Sequence, residues 1–230
     1  MIKNKKILAI VPARGGSKGI KNKNLKKIGK RSLVEITANI LKKVKIIDCA
    51  MISTDSIKIA KEAQKFGLKF FKKRPSYLSG DRIGDAPVLK EALVSAEKNM
   101  KTKFNIILMI QVTSPLRSAK NINDCIKKII NKKFDAVWTI TKIKKKYNYL
   151  KQLKIKNYRL SLCNKNGSKI VARQELNDTY IRNGAAYAFS RNAVMKKNLI
   201  PKKTGFILLK SKQISIDNKI DLKLARTVLI

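Results

Sequence analysis

The stretch Ile7-Leu8-Ala9-Ile10-Val11-Pro12-Ala13-Arg14-Gly15-Gly16-Ser17-Lys18-Gly19-Ile20 decides the fold. Its first seven residues are apolar without a break, which suits a strand covered on both faces; a strand with one wet face alternates. The run is too short to span a membrane and ends in Pro-Ala-Arg-Gly-Gly, unlike a cleavage site, so the basic lead before it reads as no signal peptide. A cytosolic chain is expected. A strand dry on both sides needs helices above and below it.

Helices are predicted at once. Ser32-Leu33-Val34-Glu35 forms a capping box, and Ile36, Ile40, Leu41 and Val44 keep a helical period behind it. A short strand follows at 50–54, ended by Asp55, then a helix at 56–66 stopped by Gly67. Residues 68–71 read as another short strand and 74–84 as a turn-rich loop. Asp85 is expected to cap a helix with Pro87 in its first turn. The most apolar strand is 106–110, leading into Gln111-Val112-Thr113-Ser114-Pro115-Leu116-Arg117. A helix at 118–130 and a strand at 136–140 complete four βα units in series, the pattern of a parallel sheet with helices on both faces. The pattern breaks at 142–178, where alternating residues and Asn166-Gly167 predict a small β excursion with a hairpin turn. Strands at 185–189 and 206–216 and a helix at 221–229 close residues 1–230 as a single domain.

Composition removes whole classes of chemistry. The chain has 230 residues and no histidine, so no Ser-His or Cys-His pair, HExxH zinc site or imidazole base is available. Cys49, Cys125 and Cys163 are odd in number and never in CxxC spacing, which argues against a zinc knuckle or a disulfide framework. The formal charge is +40. Of the 54 basic residues 44 are Lys and 10 are Arg, spread along the chain, whereas groove readers lean on Arg. A solvated basic surface with non-specific, salt-sensitive attraction to nucleic acid is the expectation.

Open α/β sheets bind ligands beyond the carboxyl ends of their strands, and the Arg14–Gly19 loop stands at such an end. Paired glycines, Gly15 and Gly16, let backbone N–H groups approach a phosphate; Arg14, Ser17, Lys18 and Lys23 add cations and a hydroxyl, with Asn24 beside them. GxxxxGK[ST] cannot be fitted, so this is no Walker loop. The plainer alternative is a flexible Lys-rich turn. Asp217, a rare acid expected at a strand end, suits Mg²⁺, since hard cations prefer oxygen; capping of the last helix is its structural alternative.

The motif PARGGSKGI-x-x-KN resembles the signature of the acylneuraminate cytidylyltransferases, a family that includes legionaminate and pseudaminate cytidylyltransferases. The resemblance continues in order through Ser53-Thr54-Asp55, Arg74-Pro75 with Leu78 and Asp81, Gln111 to Arg117, Arg173-Gln174, Tyr180, Asn183-Gly184, Tyr187, and Ile216-Asp217 with Asp221-Leu222. It implies a three-layer, Rossmann-like nucleotide-diphospho-sugar transferase fold with a mostly parallel sheet. It implies coupling of CTP to a nine-carbon 2-keto sugar acid by in-line attack on the α-phosphate, with release of pyrophosphate and Mg²⁺ as cofactor. N-acetylneuraminate is the default acceptor and legionaminate and pseudaminate remain open. Carried over, Arg14, Lys23 and Asp217 would be catalytic, with Gly15, Gly16, Ser17, Lys18 and Asn24 cradling the CTP phosphates. Arg74 and Gln111 would face the cytosine and the sugar acid; Arg173, Asn183 and Tyr187 would form the sugar pocket. The metal would lower the pKa of the anomeric hydroxyl. The 142–178 excursion would build a homodimer and lend residues to the neighbour's pocket.

The departures are specific. Ser215-Ile216-Asp217 stands where the family has Asp-Ile-Asp, leaving Asp55 or a bound phosphate to compensate for the lost carboxylate. Lys21 and Val112 replace prolines. Residues 82–85, Arg-Ile-Gly-Asp, lack the serines that some sialic acid enzymes carry there. The rival readings are a CMP-Kdo type nucleotidyltransferase, a non-catalytic basic RNA-binding protein, and a relative that keeps the fold without metal binding.

Overall fold

A computed structural model describes residues 5–229; the first four residues of the basic lead and residue 230 fall outside the described residues. The first strand, β1 (Ile7–Pro12), sorts its side chains by twos between two apolar clusters. Ile7, Ala9 and Val11 enter one, Leu8 and Ile10 the other. Both faces are dry, which is why the run is continuous.

Next come two short strands, β2 (Lys27–Ile28) and β3 (Arg31–Ser32), then α1 (Leu33–Lys42), β4 (Cys49–Ser53), α2 (Ile57–Lys65) and α3 (Asp85–Met100). The order continues with β5 (Ile106–Met109), α4 (Ala119–Asn131), β6 (Ala136–Lys142), β7 (Leu153–Lys156) and β8 (Arg159–Leu162). It ends with β9 (Tyr180–Ser190), α5 (Arg191–Met195), β10 (Thr204–Leu208) and α6 (Lys219–Leu229). The main sheet runs β10-β6-β9-β5-β1-β4. β1 is parallel to β4 and β5, and β10 to β6; β9 alone is antiparallel, wedged between β5 and β6. Residues of α1, α2, α4 and α6 pack on one face and those of α3 and α5 on the other. The three layers and the mostly parallel sheet are those expected.

Helix starts follow their local chemistry. Glu35 N–H donates to Ser32 Oγ at 3.1 Å while Glu35 Oε2 accepts from Ser32 N–H. Ser118 and Asn121 form the same reciprocal box at α4. Asp85 is not the cap expected of it: Gly84 takes that place, and Asp85 is the first helical residue, with no capping bond.

Three expected elements change. Residues 68–71 reduce to a single bridge of Lys69 to Met51. The predicted strand 206–216 stops at Leu208, because Lys210 to Gln213 is too polar to continue inside a sheet. Residues beyond it run irregularly and dock through Ile216 N–H, which donates to the Thr113 carbonyl at 2.9 Å. The hairpin of the excursion turns at Asn157-Tyr158, not at Asn166-Gly167. Both Asn157 and Tyr158 have positive φ, 49° and 60°, as a two-residue hairpin turn of this hand requires. Gly167 sits instead in a 3₁₀ turn, where any Cβ would run into the Leu150 carbonyl.

Candidate active site

From β1 the chain moves one way to β4 and later returns to lay β5 on the other side of β1. Loops leaving the carboxyl ends of β1 and β5 therefore diverge, and a crevice opens between them. It is a cleft of about 520 Å³. Arg14, Ser17, Lys23 and Asn24 line it from the first loop, and Gln111 and Thr113 from the second. Asp217 closes one wall. Lys23 Nζ meets Asp217 Oδ1 at 3.1 Å, and the loop can pass so near because Gly19 has no Cβ to strike the Asp217 carbonyl.

The cations of the first loop are held by a carboxylate. Arg14 Nη1 lies 2.5 Å and Lys18 Nζ 2.6 Å from the two oxygens of Asp81, and these contacts hold the Asp81 carboxyl below the usual carboxylate range, the Lys18 hydrogen bond first. Asp81 thus neutralises both cations at the mouth of the loop. Arg74 is buried at the back of the cleft, its Nε donating to Ser53 Oγ at 3.1 Å and Nη2 to the Ser53 carbonyl. Burial pulls the Arg74 guanidinium below its ordinary value, with Asp55, Glu91 and Asp85 opposing that shift.

A buried arginine sets the floor. Arg117 donates to the Ala185 carbonyl at 2.8 Å, to Thr37 Oγ1 at 3.2 Å and to the Gln111 carbonyl, joining β9, α1 and the loop after β5. Above it Gly184 has φ 73°, and a Cβ there would collide with Gln111 Oε1 and Ser114 Oγ. Gly184 N–H donates to the Tyr187 hydroxyl at 2.6 Å.

Residues 8–227 match the family described as cytidylyltransferase. The chain belongs to the cytidylyltransferase family. It is 32% identical over 221 residues to the CMP-N,N'-diacetyllegionaminic acid synthase of Campylobacter jejuni, a match covering 95% of this chain and 92% of the relative. It is 25% identical over 228 residues to the N-acylneuraminate cytidylyltransferase of Escherichia coli, covering 97% of this chain but only 52% of that longer relative. Among solved structures it is similar to CMP:2-keto-3-deoxy-manno-octonic acid synthetase complexed with CTP, with a TM-score of 0.72, 14% identity and 98% of both chains covered. That likeness shows the fold.

Measured against a cytidylyltransferase site, the expected residues divide. Arg14, Ser17, Lys23, Asn24, Arg74, Gln111, Asn183, Tyr187 and Asp217 share the cleft, and Lys18 reaches its rim through Asp81. Several side chains are already committed. Gly15 N–H donates to Asp55 Oδ1 at 2.8 Å, so that donor is already engaged, and Asp55 is not among the residues lining the cleft. Gly16 is exposed beside it. Asn24 Nδ2 donates to the Arg14 carbonyl at 2.9 Å and shapes the loop. The Asn183 amide is bound by Thr139, Thr141 and Ala185. Tyr187 is 1% exposed, stacked at 4.5 Å on Trp138, with burial pushing its phenol up to about 12; it forms the floor and is no cover for a sugar ring. Arg173 stands exposed on the excursion and outside the cleft of its own chain.

Asp217 is freed from helix capping. Asn218 Oδ1 accepts from Ile220 and Asp221 N–H, and Asp221 reaches back to the N–H groups of Asp217 and Asn218. The Asp217 carboxylate turns to Lys23 and to the Ser215 hydroxyl, 3.2 Å away. Two cleft residues escaped the sequence reading, Asp85 and Arg182. Scarcity was their signal: the chain has only 14 acids, only 10 of its 54 cations are Arg, and Arg182 directly precedes Asn183-Gly184.

Gly184→Ala should lower stability by about 1–3 kcal/mol in urea denaturation, because positive φ and the Gln111 contact both oppose a Cβ. An unchanged midpoint would show that β9 and the loop after β5 are not closely joined there.

Proposed function

We propose that this cytidylyltransferase joins CTP to a nine-carbon 2-keto sugar acid, N,N'-diacetyllegionaminate before N-acetylneuraminate, and releases pyrophosphate. One observation carries the reading: cations from the loop after β1 converge on a carboxylate, Asp81, at the mouth of a cleft whose opposite wall is Asp217. A triphosphate that displaces Asp81 gains Arg14 and Lys18 directly and Lys23 behind them. The greater identity to the legionaminic acid enzyme orders the acceptors.

Transfer needs charge spread over the departing pyrophosphate while an oxygen approaches the α-phosphorus in line. Fixed cations do this at no cost in reorganisation. Among the described residues no three Asp, Glu, Cys or His side chains converge as a metal cage. The oxygens of Asp217 and Ser215 fit a Mg²⁺ that arrives on the triphosphate, since this ion keeps water and phosphate ligands and needs only one or two carboxylates. When bound, Mg²⁺ would add positive charge at the reacting phosphate. Lys23 then holds Asp217 in place from behind.

The excursion completes the reading as a dimer surface. Ile155 is 75% and Leu160 68% exposed on its hairpin, and Tyr147, Tyr149 and Val171 are open nearby, more apolar surface than a free hairpin should carry. A second copy covering it would bring Arg173 to a neighbouring cleft. No helix among the described residues is long and apolar enough to cross a membrane.

Pyrophosphate release across four nucleotides and a panel of sugar acids tests the reading. CTP with N,N'-diacetyllegionaminate should exceed every other pair by about tenfold or more in kcat/KM, a margin of about 1.4 kcal/mol, and EDTA should abolish it. Faster turnover of Kdo would assign the CMP-Kdo activity instead, and inertness of CTP with every nonulosonate would end the proposal. Light scattering at the mass of one chain would remove the dimer.

A further inference from the structure

Asp85 and Arg182 line the same cleft from adjacent layers, Asp85 at the start of α3 and Arg182 on β9 of the sheet. Neither has a hydrogen bond or ion pair of its own side chain among the described residues, although the cleft brings their charges near enough to influence each other. This is unusual in a chain with 54 basic and 14 acidic residues, where a partly buried carboxylate has many partners within reach. Arg182 is exposed, with its guanidinium carbon 5.6 Å from the centroid of the Trp138 ring and its N–H groups unused. Asp85 neither caps its helix nor pairs with Arg74. A carboxylate and a guanidinium without partners among the described residues, both lining one cleft, offer it one acceptor and one donor.

The proposed acceptor fits that slot by its own connectivity. In a cyclised 2-keto sugar acid one carbon carries both the carboxylate and the hydroxyl that must attack. A guanidinium that takes the carboxylate therefore brings the hydroxyl to whatever stands opposite. Resting on the functional reading above, we propose that Arg182 binds the acceptor's carboxylate and that Asp85 is the general base for its anomeric hydroxyl. The balance is complete. The hydroxyl proton passes to a carboxylate oxygen of Asp85 as the hydroxyl oxygen bonds to the α-phosphorus. The bond from that phosphorus to the bridging oxygen breaks, and pyrophosphate leaves with the electron pair. Protonated Asp85 then returns its proton to solvent when the products depart.

The surroundings agree with the role. Burial raises the Asp85 carboxyl above its ordinary range, opposed by Arg182 from β9 and Arg74 from the loop before α3. Tyr187, also on β9, senses the Asp85 charge, and Asp55, Glu91 and Arg14 act on Arg74 behind it. A raised carboxyl is a stronger proton acceptor, and the chain has no histidine to serve instead. The sign for stability is opposite. The charged form is disfavoured in the native state, so its cost is present above the native pKa and is relieved as pH falls through it. A group retained against stability in a cleft is one kept for chemistry.

Steady-state kinetics of Asp85→Asn, Asp85→Ser and Arg182→Met, followed across pH with CTP and the preferred sugar acid, test the pair. Asp85→Asn should lose about 10²–10⁴-fold in kcat, keep KM for CTP, and lose the acid limb of the pH profile. Its melting temperature should not fall, which separates the loss from misfolding; should the Asn variant unfold, Asp85→Ser is read in its place. Arg182→Met should raise KM for the sugar acid by about tenfold or more and leave KM for CTP unchanged. Asp85 variants that retain kcat within about threefold, or that keep the acid limb, would overturn the assignment. Wild-type protein inert towards CTP and every sugar acid would instead overturn the functional reading, a result visible before any variant is made.

Discussion

One backbone seam holds the cleft together. Ile216 N–H donates to the Thr113 carbonyl, and Gly19 lies against the Asp217 carbonyl, so three loops far apart in sequence become the walls of one crevice. Without that seam Lys23 and Asp217 would have no reason to meet. The sheet supplies the frame. β1 is fixed by burial on both faces, and the Arg117 guanidinium ties the loop after β5 to β9 and α1. Among the described residues Arg117 has no carboxylate partner, so its hydrogen bonds to carbonyl oxygens must offset its desolvation. Its removal would leave buried acceptors on three elements.

Charge is distributed unevenly in a useful way. A net +40 makes the surface repel itself, yet three of the few acids, Asp81, Asp85 and Asp217, line the same cleft as Arg14 and Lys23. Two of them pair with loop cations and act as internal counterions. In the proposed function an incoming triphosphate takes the place of Asp81 on Arg14 and Lys18, so binding releases one carboxylate in place of ordering new cations, while Asp217 stays with Lys23. Asp85 has no such exchange to make. In the proposed mechanism that difference separates the groups assigned to nucleotide from the one assigned to the acceptor.

Much of the frame was legible because burial on two faces writes continuous apolar runs. Orientation was not: β9 is as apolar as its parallel neighbours, and nothing in residues 185–189 records that it runs the other way. The run 206–216 read as one strand because Ile207, Leu209, Ile214 and Ile216 are apolar, although Ile214 and Ile216 are buried by the seam and not by the sheet. Asn166-Gly167 carried a hairpin signal, but two left-handed residues at Asn157-Tyr158 do that work. Within the cleft the loop after β1 was legible through its glycines and scarce Arg14. Asp85 was read as a helix cap, since an acid before an apolar period looks the same whether it caps or faces a cleft. Asn183 and Tyr187, expected in the sugar pocket, both line the cleft, yet their polar atoms are bound by Thr139 of β6 and Gly184 of β9.

A crystal structure with CTP tests the account at its centre. The triphosphate should lie on Arg14, Lys18 and Lys23, with Asp81 withdrawn from both of its cations and Asp217 beside the phosphates. Nucleotide bound elsewhere, or Asp81 still seated between Arg14 and Lys18 with CTP in place, would contradict it.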